Sequence, residues 1–305
     1  MNHIRIGTRG SALALWQANW VKSRLEKVFP QRSFQLARIK THGDRITDIP
    51  LERIGGEGVF VKQIEIALLN GEIDLAVHSM KDVPTVLPDG LVVGAILERA
   101  DPADVLISKH NLDLSHLPLG AKVGTGSLRR RAQLLHKRSD LDIMDIRGNV
   151  DTRLAKLRSG ELDAIVLASS GVKRLGYENA VTQRIPYSIC LPAVGQGALC
   201  IEIRSEAKEI HDMVENIHHP ESAAAVRAER AFLRGLGGGC RVPIAALGTV
   251  GSGMLTLEGL VAHGDGRRII RANTTGKFED AEGVGKRLAA CLIDMGAKSI
   301  LESLR

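Results

Sequence analysis

Aromatic residues make up only 3% of the 305 positions. Few stacking platforms are therefore available for single-stranded nucleic acid, no DNA-binding motif is found, and a nucleic-acid partner is not expected. No run of about 18 uninterrupted apolar residues occurs, so neither a membrane-spanning helix nor a membrane partner is expected. The opening MNHIRIGTRGSALALW has no apolar stretch long enough for an export signal, because Arg9 and Gly10 interrupt it. A cytoplasmic protein is the expectation. Cysteine is also scarce: the four lie at 190, 200, 240 and 291, without a CxxC pair or a close histidine. That argues against a zinc site and a disulfide framework, and no metal is expected. Cys190, Cys200 and Cys291 have apolar neighbours and read as core residues. Cys240 differs, because Gly237, Gly238 and Gly239 precede it.

What is present is the balance of a folded protein, 44% hydrophobic and 25% charged, long enough for two or three domains. The net charge of +6 admits an anionic partner. Among the 41 basic residues arginine outnumbers lysine almost two to one. That bias suits planar, two-pronged recognition of carboxylate or phosphate better than diffuse attraction to a polyanion. A small acidic ligand fits best.

Apolar runs of strand length alternate with helix-period segments through the first two-thirds, the signature of α/β construction with mainly parallel sheets. Five junctions repeat one pattern. His3 to Gly7 reads as a strand leading through Thr8 to Gly10 to Ser11, an N-cap for a helix to about Val28. Ile73 to Val77 runs into His78, Ser79, Met80, Lys81 and Asp82, and Pro84 forbids simple continuation. Lys122 to Gly124 leads through Thr125, Gly126 and Ser127 into a helix with Arg129, Arg130 and Arg131 in its first turn. Leu141 to Ile146 delivers Arg147, Gly148 and Asn149 before a helix carrying Arg153, and Ala164 to Leu167 delivers Ser169, Ser170 and Gly171 before Lys173 and Arg174. Ligands of open α/β sheets bind outside the carboxyl ends of the strands, where helix N-termini offer free N–H groups to anions. Any single arginine could equally solvate a surface or pair with a neighbouring acid. Five clusters at strand ends favour a cationic cleft.

Breaks at Asp101–Pro102 and at LPAVGQG (191–197) predict a hinge of two segments, 99–102 and 192–197. They divide the chain into an α/β domain of 1–98 with 198–217, a second α/β domain of 103–191, and a C-terminal α+β domain of 220–305. In the last, strand-like segments near 242–250, 254–262 and 267–275 predict a three-stranded antiparallel meander, covered by a helix from Glu279 to Met295. The glycine-rich 41–60 segment reads either as a lid or as a plain surface loop.

TRGSALALWQA (8–18), GDRI (43–46), HSMKDVP (78–84), GTGSLRR (124–130), RGNVDTRL (147–154), LPAVGQGA (191–198) and GGGCRVPI (237–244) together resemble the porphobilinogen deaminase family. Their order and spacing match over nearly the whole chain, and distant segments such as HSMKD, RGN and GGC have no shared structural reason to co-occur.

The resemblance implies two periplasmic-binding-protein-like α/β lobes with a hinge plus the small C-terminal domain, in a monomeric transferase. It would condense four porphobilinogen molecules head to tail, with loss of ammonia, to give hydroxymethylbilane. It implies a dipyrromethane cofactor bound by a thioether to Cys240. It assigns Ser79, Lys81, Asp82, Thr125, Ser127, Arg129 and Arg130 to the cofactor, and Arg9, Ser11, Arg147, Asn149, Arg153, Arg174 and Gln196 to incoming substrate. Asp82 becomes the catalytic acid, because loss of ammonia leaves an electron-poor centre that needs a negative charge; without the resemblance it would read as the cap of the turn before Pro84. Glu57, Gly126, Gly238 and Arg241 depart from the family pattern, and Glu57 puts a lid contact in question. A two-lobed binding protein or regulator for a small dicarboxylate is the alternative.

Overall fold

The structure, a computed structural model, describes residues 3–41, 58, 61–238 and 242–303. Cys240, Arg241, Glu57, GDRI and most of the 41–60 segment lie outside the described residues. The chain divides into two compact units, one of 1–49, 54–100 and 198–223, the other of 50–53, 101–197 and 224–305.

The first unit holds a five-stranded sheet in the order β2-β1-β3-β10-β4, built from β1 (His3–Thr8), β2 (Ser33–Arg38), β3 (Leu75–Ser79), β4 (Leu91–Ile96) and β10 (Leu199–Arg204). β1 pairs in parallel with β2 and β3, whereas β10 runs antiparallel to β3 and β4. Helix α1 (Ala12–Val28) begins at Ser11, whose hydroxyl accepts from the Ala14 N–H. It packs Ala18, Val21 and Leu25 with Ile4, Ile6, Leu75, Val77, Ile201 and Ile203. Helix α2 (Lys62–Leu69) packs Ile64 and Leu68 with Ala76 on the opposite face. Alternation along a strand explains the split, since Leu75 and Val77 point to one side and Ala76 and His78 to the other.

The second unit repeats that strand order as β7-β6-β8-β5-β9: β5 (Asp104–Ser108), β6 (Lys122–Gly124), β7 (Asp142–Met144), β8 (Ala164–Ala168) and β9 (Gln183–Arg184). Here β5 is the strand antiparallel to its neighbours, β8 and β9. In each sheet the antiparallel strand is the one the chain enters through a crossover, β5 after 99–102 and β10 after 192–197. The sheets are mixed where sequence reading predicted mainly parallel pairing. Val105, Ile107, Ile165 and Leu167 pack on one face, and Leu106, Ala164 and Val166 on the other. Helices α3 (Leu128–Lys137), α4 (Val150–Arg158) and α5 (Ser169–Arg174) follow β6, β7 and β8.

Helix α6 (Lys208–Glu215) returns to the first sheet, and α7 (Pro220–Gly235) leads to the antiparallel sheet β11 (Ile244–Gly251), β12 (Met254–Ala262) and β13 (Ile269–Lys277). Helix α8 (Ala281–Leu292) covers that sheet with α7, followed by a π-turn at Ile293–Ala297 and α9 (Lys298–Glu302). Cys190 and Cys200 are buried as predicted, but Cys291 is exposed. The helical repeat turns Leu288, Ala289 and Leu292 of α8 inward and leaves 291 facing out. Among the described residues no helix is long and apolar enough to cross a membrane.

Candidate functional site

Because β1 and β3 are parallel neighbours, the residues that follow them emerge at one edge of the sheet. Arg9 and Ser11 leave β1; Ser79 ends β3, and Lys81 and Asp82 sit on the 3-10 turn Met80–Asp82. Arg9, Ser11, Gln17, His78, Ser79 and Asp82 line one small pocket of the first unit. Gln17, buried on α1, donates to the Ser79 hydroxyl at 2.9 Å and so fixes the pocket's floor. Gln17 and His78 were not singled out as ligand groups from the sequence.

In the second unit β6, β7 and β8 are parallel, so Thr125, Ser127, Arg129 and Arg130, then Arg147, Asn149 and Arg153, then Arg174 collect at one sheet edge. Antiparallel β5 begins at that same edge, with Asp104 opposite Ala168. Asp104 is fully buried and holds the cluster together. Arg129 Nη1 donates to its Oδ2 at 2.7 Å, Arg130 Nη2 to its Oδ1 at 2.7 Å, and Gln196 Nε2 to Oδ1 at 2.8 Å. Against the upward pull of burial, the charges of Arg129 and Arg130 hold the Asp104 carboxyl far below the usual carboxylate range. The Cys190 thiol, 3.3 Å from Oδ2, is pushed up to about 12, first by burial and then by Asp104. It is a core group and not a nucleophile.

One carboxylate balances two guanidinium groups, and the surplus is positive. Arg153 is lowered to about 10 by burial and by the charges of Arg130 and Arg147, partly offset by Asp145. Burial lowers Arg174 to about 10 as well, and its Nη2 donates to Gly197 O at 2.9 Å. Gly148 adopts φ 98°, a left-handed conformation natural to glycine, and its carbonyl accepts from Arg153 Nε at 2.9 Å. The Asn149 side chain caps α4 by accepting from Thr152 N, and Ser127 caps α3.

Seven buried side-chain atoms among the described residues lack a hydrogen-bond partner, and they fall in two places. Arg129 Nε, Arg130 Nε and Arg147 Nη2 belong to the cationic cluster; Glu65 Oε1, His78 Nε2 and both carboxylate oxygens of Glu202 lie beside the pocket of the first unit. Buried polar atoms ordinarily find partners. Unsatisfied N–H donors in a surplus of positive charge suit an anion bearing several carboxylates, and a dipyrromethane with acetate and propionate side chains is such a group. No set of three His, Cys, Asp or Glu among the described residues is disposed to hold a metal ion.

Asp104 and Glu202 escaped the sequence reading because neither lies in a loop motif, and His78, although it opens HSMKDVP, is given no role there. A signal was available: each is a charged or titratable residue inside an otherwise apolar strand, DVLIS, LCIEIR or LAVHS, where burial demands a partner.

Residues 4–212 match the family described as porphobilinogen deaminase, dipyromethane cofactor binding domain, and residues 223–294 match porphobilinogen deaminase, C-terminal domain. The porphobilinogen deaminase of Moorella thermoacetica is 54% identical over 305 residues, covering 100% of this chain and 97% of that protein. That of Pelotomaculum thermopropionicum is 53% identical over 302 residues, covering 99% and 97%. Among solved structures, the periplasmic aliphatic sulphonate binding protein SsuA from Escherichia coli overlaps 77% of this chain and 70% of its own, with 17% identity and a TM-score of 0.43. With both family segments matched in order and more than half of all positions shared end to end, the chain belongs to the porphobilinogen deaminase family.

Proposed function

We propose that the protein condenses four porphobilinogen molecules head to tail, releasing ammonia at each addition, and yields hydroxymethylbilane. The observation that carries this reading is the match to porphobilinogen deaminases along the whole chain. The cationic cluster supports it, since every pyrrole added brings two carboxylates that need directional partners.

When bound, the dipyrromethane supplies the free ring carbon from which the chain of pyrroles grows, and Cys240 is its attachment point. Ser79, Lys81, Asp82, Thr125, Ser127, Arg129 and Arg130 hold its polar groups. Arg9, Ser11, Arg147, Arg153 and Arg174 hold the carboxylates of incoming substrate, with Asn149 and Gln196 beside them. Asp82 supplies the negative charge required by the electron-poor carbon that departing ammonia leaves behind. We assign the chain three domains, 1–98 with 198–217, 103–191 and 220–305, acting as a monomer in the cytoplasm without nucleic-acid or membrane partners. What supports the division is that each part carries one of the three sheets.

Asp82→Asn tests the catalytic assignment. It is expected to keep the covalent cofactor by mass while ammonia release falls by at least about 100-fold, the scale of a lost electrostatic partner. Near-normal release would remove Asp82 from its role.

A further inference from the structure

Behind the pocket, on the sheet face covered by α2, three ionisable side chains are enclosed together. Glu202 is 0% exposed, His78 5% and Glu65 6%. His78 and Glu202 come from adjoining strands, where β10 sets Cys200 against His78 and Glu202 against Ala76. His78 Nε2 approaches Glu202 Oε2 to 3.1 Å, off the direction of a true hydrogen bond. Four of the seven orphaned atoms lie here. Enclosing two acids and one imidazole with so few hydrogen bonds is costly.

The surrounding groups are Lys62 on α2, Cys200 and Arg204 on β10 and, on the far side of His78, Asp82 and Arg9 of the pocket. Arg204 is committed elsewhere, donating to Leu68 O and Ile73 O. Burial and the charge of Glu202 raise Glu65 to about 6, with His78 and Lys62 pulling the other way. Ionisation of Glu65 adds negative charge to the cluster.

We propose that Glu65, Glu202 and His78 form a buried electrostatic unit behind Ser79–Asp82, whose negative charge stabilises the electron-poor centre generated in the pocket. They are positioning residues, with Glu65 setting the charge of the unit, and the proposal rests on the function assigned above. In each addition the aminomethyl C–N bond breaks and ammonia leaves with the electron pair. A ring-carbon electron pair forms the new C–C bond, and the C–H bond at that carbon then releases a proton, which ammonia takes up as ammonium. The cluster enters by charge alone, so no further reactant is needed.

The test uses protein whose cofactor loading has been verified by intact mass, with kcat and KM for porphobilinogen measured between about pH 5 and 9. In the parent, kcat is expected to rise through an inflection near pH 6, where Glu65 ionises. Glu65→Gln should remove that inflection and lower the plateau about 3–10-fold with KM changed less than about twofold. A purely structural role would lower stability and leave the shape of the profile unchanged, and a superposable profile overturns the proposal. Should Glu65→Gln fail to fold or load, Lys62→Met at an exposed position moves the same inflection upward by a few tenths of a pH unit, about what loss of one nearby cation produces; an unmoved inflection again overturns it. A parent that neither carries the covalent group nor releases ammonia would instead overturn the assigned function.

Discussion

Asp104 shows how much of this site depends on a residue that touches no solvent. Both its oxygens accept from arginine, and Gln196 adds a third donor. Removing the acid leaves two guanidinium groups buried against each other, so Asp104→Ala is expected to cost about 3–5 kcal/mol in urea unfolding. Its carboxyl is depressed in the folded state. Its contribution is therefore present in full above the ordinary carboxylate range near pH 4 and is withdrawn as pH falls. A variant as stable as the parent at neutral pH would show that the arginines repel one another less than the geometry implies. At this scale legibility was uneven. The arginines, serines and Asp82 stood out because they cluster where strands end and in the turns and helices that follow, a repetition with few structural reasons to exist. Asp104 and Glu202 did not, because a lone acid in an apolar strand gives no spacing to recognise, and only the fold reveals which bases it meets.

Among elements, the helix that starts at Ser11 and the C-terminal meander followed directly from capping and alternation. The pairing direction of β5 and β10 did not. A strand's apolar pattern is the same whichever way it runs, so direction is decided by the connection and not by the residues. That direction places Asp104 at the arginine-bearing edge. The β6–α3 junction offers a separate test. A Cβ at Gly126 would lie 2.8 Å from Ile146 O and 2.9 Å from Asp145 Oδ1, and a backbone oxygen cannot swing aside. Gly126→Ser is expected to lose about 1–3 kcal/mol of stability in this chain. An unchanged urea midpoint would mean that the β7–α4 loop yields without strain.

For the whole molecule, two sheets share one strand order and each gathers its polar residues at the carboxyl ends of its parallel strands. Repetition at strand ends announced this arrangement in the sequence, since helices that follow parallel strands must all begin at one edge. Among the described residues the second cluster sets several arginines around one buried acid, Asp104, with Asp145 partly offsetting Arg153, a balance that favours binding of an anion. The central claim is that this anion is a pyrrole cofactor anchored at Cys240. Intact mass of the denatured, purified protein, with peptide mapping after incubation with porphobilinogen, tests it most directly, because a thioether survives unfolding and a passively bound ligand does not. A covalent increment confined to the Cys240 peptide, and lost in Cys240→Ser, is expected. A mass equal to that of the bare chain after that incubation would contradict the account.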